Sequence, residues 1–119
     1  MGWTDVTLKV LERAMDASSL RNKLIVNNIA NADTPGYKRK DISFQEELEK
    51  IIARGDDKGF APRITTSNDL ALRADGNNVD VEREMSELAK NNLYYQVLAD
   101  QLDKQLKQIE KVISQAGQK

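Results

Sequence analysis

From Val81 onward, one feature constrains the fold more than any other: Val81, Met85, Leu88, Asn92, Tyr95, Ala99, Leu102, Leu106, Ile109, Ile113 and Ala116 keep alternating steps of four and three residues. All but Asn92 are apolar or aromatic, and neither Pro nor Gly falls between Val79 and Ala116. That spacing predicts one unbroken helix over 80–116 with a seam of the coiled-coil kind. Asp80 stands at the N-cap position, Glu82, Glu84 and Glu87 occupy the opening turns, and Lys104, Lys107 and Lys111 the closing ones. The charges therefore oppose the helix dipole at both ends, and Gly117 is a natural stop.

A second seam runs through Leu8, Leu11, Met15, Ser18, Asn22, Ile25, Ile29 and Ala32, widened by Val10, Ala14, Ala17 and Leu24. It predicts a helix over 5–32. Asp33-Thr34-Pro35-Gly36 then breaks the helix, and residues 33–41 read as a turn segment. A short amphipathic helix is expected over 42–54, with Phe44, Leu48, Ile51 and Ile52 on one face. Gly55, Gly59, Pro62 and Gly76 among polar residues make 55–79 a loop, with one brief extended piece near Arg63 to Thr66. The expected class is all-α: a single elongated domain over 1–119, its long terminal helices forming an antiparallel coiled-coil hairpin around a loop-rich middle.

Size then implies a partner. A 36-residue helix from Val81 to Ala116 is about 54 Å long, whereas a compact globule of this length has a diameter of roughly 35 Å. Part of the apolar stripe must meet another chain or lie bare. The candidate packing residues are Leu8, Leu11, Met15, Ile25 and Ile29 on the first helix, and Val81, Met85, Leu88, Tyr95, Leu102, Leu106, Ile109 and Ile113 on the last. Within the hairpin, Asn22 and Asn92 fall at nearly one level. They either pair and set the register, as a buried Asn does in a coiled coil, or mark places where the seam meets water.

Composition closes other routes. With no Cys and no His there is no disulfide, thiol nucleophile or imidazole base, so an enzyme is not expected, nor any cofactor or metal site. Eighteen basic against nineteen acidic residues give no cationic surplus for nucleic acid. No apolar run approaches the roughly 20 residues that span a bilayer, and the N-terminus lacks the pattern of a cleaved signal. Asp75, Asn77 and Asp80 lack the spacing of a calcium loop. Lys38-Arg39-Lys40, followed closely by Asp41, Glu46 and Glu47, reads as a solvated charged face.

The Asn-rich stretch Asn27-Asn28-Ile29-Ala30-Asn31-Ala32-Asp33-Thr34-Pro35-Gly36-Tyr37-Lys38 resembles the N-terminal signature of the bacterial flagellar axial proteins. These build the rod, the hook and the hook-filament junction. A second block, Leu72-Arg73-Ala74-Asp75-Gly76-Asn77-Asn78-Val79-Asp80-Val81-Glu82-Arg83-Glu84-Met85, is similar to a short proximal rod member of the basal body. The resemblance implies a hollow tube of nested terminal helices, contacts with self, with other rod proteins and with the adaptor to the membrane ring, and residence in the periplasmic rod. It also implies export through the flagellar type III apparatus without cleavage of a signal peptide. It marks Asn27, Asn28, Asn31, Asp33, Pro35, Gly36 and Tyr37 as the turn motif. Independently, amides near a helix end reach free carbonyls, and Pro-Gly redirects the chain. On this reading, loss of Asn28 and Asn31 should impair assembly more than folding. The rival reading is a soluble helical adaptor or chaperone that holds a client helix against its apolar seam.

Overall fold

The computed structural model describes residues 3–67 and 74–117. In chain order they form α1 (Trp3–Ala30), β1 (Lys40–Ser43), α2 (Gln45–Arg54), β2 (Arg63–Thr66) and α3 (Val81–Ala116). The molecule measures 72 × 26 × 14 Å with a radius of gyration of 18.7 Å, well above the roughly 13.5 Å of a compact chain of this length. The elongation follows from α3, which continues for 36 residues without a breaker. Its first turn is capped by Asp80, whose carboxylate accepts from the backbone N–H of Glu82 and of Arg83.

α1 and α3 pack along one another. Asn28 meets Glu84 near one end and Ser18 meets Asn91 further along, so the two helices run in opposite directions. The buried positions of α3 are Glu84, Asn91 and Leu98, each seven residues from the next. This face is rotated from the apolar seam of the sequence: Val81, Met85, Tyr95, Leu106 and Ile113 are exposed, and Leu88, Leu102 and Ile109 are partly buried. On α1, Ile25 is buried and Leu8, Leu11, Met15 and Ile29 are partly buried. The cause lies in what α1 presents. Small Ala14 and Ala17 admit close approach beside Ser18 and Asn28, and those two polar groups need polar partners once dry.

Of the two readings of Asn22 and Asn92, the pairing one does not hold, and the register is set by other residues. The Ser18 hydroxyl donates to Asn91 Oδ1 at 3.0 Å and Asn91 Nδ2 donates to the Ser18 carbonyl at 2.8 Å. Asn22 and Asn92 only line a cavity of about 160 Å³ beside that pair.

Where the sequence suggests one helix over 42–54, the chain makes a strand and then a helix. β1 pairs antiparallel with β2, with Lys40 opposite Thr66 and Ile42 opposite Ile64. Ile42 points inward and joins Ala17 and Phe44, against which Leu20, Leu24, Leu48 and Phe60 pack. Arg21 pins this core to α1: its Nε lies 3.0 Å from Asp41 Oδ1, its Nη2 donates to the Ile42 carbonyl, and its guanidinium sits over the Phe44 ring. α2 buries Ile51 and leaves Ile52 exposed. It ends where Gly55 adopts φ 79° and returns its N–H to the Ile51 carbonyl. The fold is thus mostly helical with a small antiparallel sheet, which is why all-α is an approximation.

Candidate functional site at the corner between the long helices

After Ala30 the chain tightens into turns. Asn31 Nδ2 donates back to the Asn27 carbonyl at 2.8 Å, and the Thr34 hydroxyl donates to Asn31 Oδ1 at 3.1 Å. These are the local end-of-helix bonds expected of asparagines there. Gly36, at φ 74°, aims its N–H at the Asp75 carbonyl, 2.8 Å away. Asp33, Pro35 and Gly36 are exposed, Asn27 is exposed, and Tyr37 is half-buried.

Asn28 behaves differently, with no exposed surface. Its Nδ2 donates to the Lys40 carbonyl at 2.9 Å, and its Oδ1 accepts the Lys40 N–H at 2.9 Å. The side-chain amide gives Lys40 the two bonds that a neighbouring strand would give, so α1 serves as a ladder partner for the start of β1. Oδ1 also accepts the Tyr37 hydroxyl at 3.0 Å, and that hydroxyl in turn accepts from Asn27 Nδ2. An aspartate lacks the donor for this role and a leucine lacks both groups.

From the other side come residues 75–84. Asn77 Nδ2 donates to the carbonyls of Asn31 and Thr34 at 2.9 and 2.7 Å, while its Oδ1 accepts the Val79 N–H. Asn78 Oδ1 accepts the Arg39 N–H at 2.7 Å, and Lys38 Nζ reaches the Gly76 carbonyl. Glu84 completes the corner: Oε2 accepts from Asn28 Nδ2 at 3.2 Å and Oε1 lies 2.6 Å from Arg39 Nε. Burial works against the Arg39 charge, but the hydrogen bond and charge of Glu84 outweigh it and hold the guanidinium above its ordinary value. The carboxylate also lies in the first turn of α3, where the helix dipole favours it.

The structure thus joins two sequence motifs that lie some forty residues apart. The first is visible in the sequence as an Asn-rich turn and the second as a block similar to the rod proteins, but nothing local marks Arg39, Asn77, Asn78 and Glu84 as parts of one site. Arg39 is 7% exposed and ion-paired, which corrects the reading of Lys38-Arg39-Lys40 as a solvated face. Among the described residues no group of His, Cys, Asp or Glu could hold a metal ion, and no helix is long and apolar enough to cross a membrane.

A rigid corner between two long helices, one of them with an open flank, defines an elongated structural subunit. Residues 8–38, which contain the first motif, match the family described as flagella basal body rod protein. The chain is 35% identical to a flagellar basal body rod protein FlgB of Bacillus subtilis, with 91% of this chain and 93% of that one covered. It is 35% identical to that of Salmonella typhimurium over 87% and 89%, and 32% identical to that of Escherichia coli K12 over the same shares. The chain belongs to the flagellar basal body rod proteins of the FlgB type. It is a structural component of the basal body, works in contact with other rod components in motility, and is not an enzyme.

Proposed function

We propose that the subunit builds the proximal rod by nested packing of its terminal helices, as coiled coils formed between copies as well as within one, with the corner as a preformed joint that sets their angle. The observation that carries this reading is the open flank of α3. Of the twelve exposed large apolar or aromatic side chains among the described residues, nine lie on that helix, including Met85, Leu93, Val97 and Ile113. Val81, Met85, Tyr95, Leu106 and Ile113 share one side of the helix and Leu93 and Val97 another, and exposed apolar surface of that extent is an association surface. The seam residues Val81, Met85, Tyr95, Leu106 and Ile113 belong to contacts with neighbours. The turn motif acts on assembly through the geometry it imposes on both helices.

On the same reading the chain is exported unfolded through the flagellar type III apparatus, without cleavage, to the periplasmic rod, where it also meets the adaptor to the membrane ring. The test is complementation of a strain lacking this subunit with Leu93→Asp and Val97→Asp. Purified variants should keep native helicity, because both side chains are more than half exposed in the monomer, while rods and motility are lost. Full motility with both aspartates in place would refute the reading.

A further inference from the structure

The side of α3 opposite Glu84, Asn91 and Leu98 is patterned along its length. Beyond Glu82 and Ser86 in the opening turns it is apolar at Ala89, at Leu93 with 70% exposure and at Val97 with 56%. Its last turns carry Lys104, Lys107 and Lys111, all exposed. The solvent face of α1 has the converse pattern. Glu12 and Asp16 are exposed in its first half, Val26 and Ala30 near its end. Arg13 does not neutralise the acidic part, since three carboxylates surround it: Asp16 at 3.0 Å, Asp57 at 3.6 Å and Glu12 at 3.9 Å.

We infer that a second copy of this chain lays the solvent face of its α1 antiparallel along this outer side of α3, with Asp16 opposite Lys104, Glu12 opposite Lys107 and Val26 opposite Leu93. The inference rests on the rod-subunit reading and specifies its interface. A parallel arrangement would set the lysines against Val26 and Ala30 and the carboxylates against Leu93, so the charge pattern selects the antiparallel one. Lys107 already pairs with Asp103 at 2.9 Å, and Glu12 extends that pair. The same register sets Lys23, exposed on α1, opposite Val97 and one turn from Asp100, which shares the face and can take its charge.

Within one chain, α1 meets α3 in a different register, with Asn28 at Glu84 and Ser18 at Asn91. The neighbour is therefore displaced by about nine residues, or about 13 Å along the helix axis at 1.5 Å per residue. The contact joins two different faces, so it does not close on itself in a pair and propagates as a helical array of uniform polarity.

Because the chain has no cysteine, full-length Asp16→Cys and Lys104→Cys variants can be co-expressed in cells that build basal bodies and oxidised mildly in the isolated particles. The expected result is a 16–104 disulfide at least about tenfold above the yield of Asp16→Cys with Lys90→Cys, a pair displaced by four turns. In parallel, the double charge reversals Glu12→Lys with Asp16→Lys, and Lys104→Glu with Lys107→Glu, should each weaken incorporation more than about tenfold. Combining all four should restore it, which a merely destabilised fold would not do. If wild-type chain enters basal bodies but the 16–104 yield equals the control, or the combined variant is not rescued, this register is wrong. If wild-type chain does not enter basal bodies, the rod-subunit reading falls with it.

Discussion

Asn28 Nδ2 lies 3.2 Å from Glu84 Oε2, and neither residue exposes any surface to solvent. This contact joins the end of α1 to the first turn of α3, and Arg39, the residue before β1, closes it at 2.6 Å. Truncating the acid strands a buried guanidinium. Glu84→Ala should lower stability by about 3–5 kcal/mol, whereas Glu84→Leu combined with Arg39→Met should cost much less than the two singles summed. Urea unfolding of all four proteins gives the coupling, and additivity would show that the pair is not a unit.

The corner asparagines should divide sharply. Asn28→Ala removes partners from Lys40, Tyr37 and Glu84 at once and should cost about 2–3 kcal/mol. Asn31→Ala loses only local bonds at the exposed helix end and should cost less than about 1 kcal/mol. The expectation that both act on assembly more than on folding therefore changes for Asn28, whose role begins inside the monomer. Thermal unfolding separates the two, since 1 kcal/mol shifts Tm by about 3–5 °C at this size.

Tyr37 carries a pH signature. Burial raises its hydroxyl pKa above the ordinary value of 10.0, its hydrogen bond with Asn27 works the other way, and the nearby Glu84 charge adds to the rise. A folded-state value above the unfolded one favours the protonated hydroxyl in the native chain. The corresponding stability is fully present below pH about 10 and is lost as pH rises through the folded value. Tyr37→Phe should cost about 1 kcal/mol at neutral pH and flatten this alkaline decline. Equal slopes for both proteins above pH about 10 would show that Tyr37 plays no part in it.

Register should follow Ser18 and Asn91. Asn91→Leu alone leaves the buried Ser18 hydroxyl without its partner and should cost about 2 kcal/mol, most of it recovered when Ser18→Ala is added. Asn22→Leu and Asn92→Leu should be additive. A double-mutant cycle on each pair discriminates them, and coupling at 22 and 92 would reverse the assignment.

The long helices, the turn at Asp33 to Gly36 and the extended piece at Arg63 to Thr66 were legible in the sequence, because period, caps and breakers are local signals. The face of α3 that meets α1 was not. A heptad of apolar residues marks a buried stripe without saying whether its cover comes from the same chain, and here the polar pairs Ser18 with Asn91 and Asn28 with Glu84 select a rotated face. Strand β1 was hidden for a related reason. Lys40 to Ser43 has too few residues for alternation to show, and its pairing depends on the Asn28 amide and on β2 about twenty residues later. Arg39 and Glu84 look like ordinary surface charges until the fold puts them together.

The corner is complete within one chain, while the flank of α3 waits for neighbours. Peptide-resolved amide hydrogen exchange on the dilute monomer tests it most directly. Slow exchange over 14–32 and 77–98, with fast exchange over 103–116, is the predicted pattern. Fast exchange at Asn28 to Lys40 and at Asn77 to Glu84 would mean that the corner forms only on assembly, and would contradict the account.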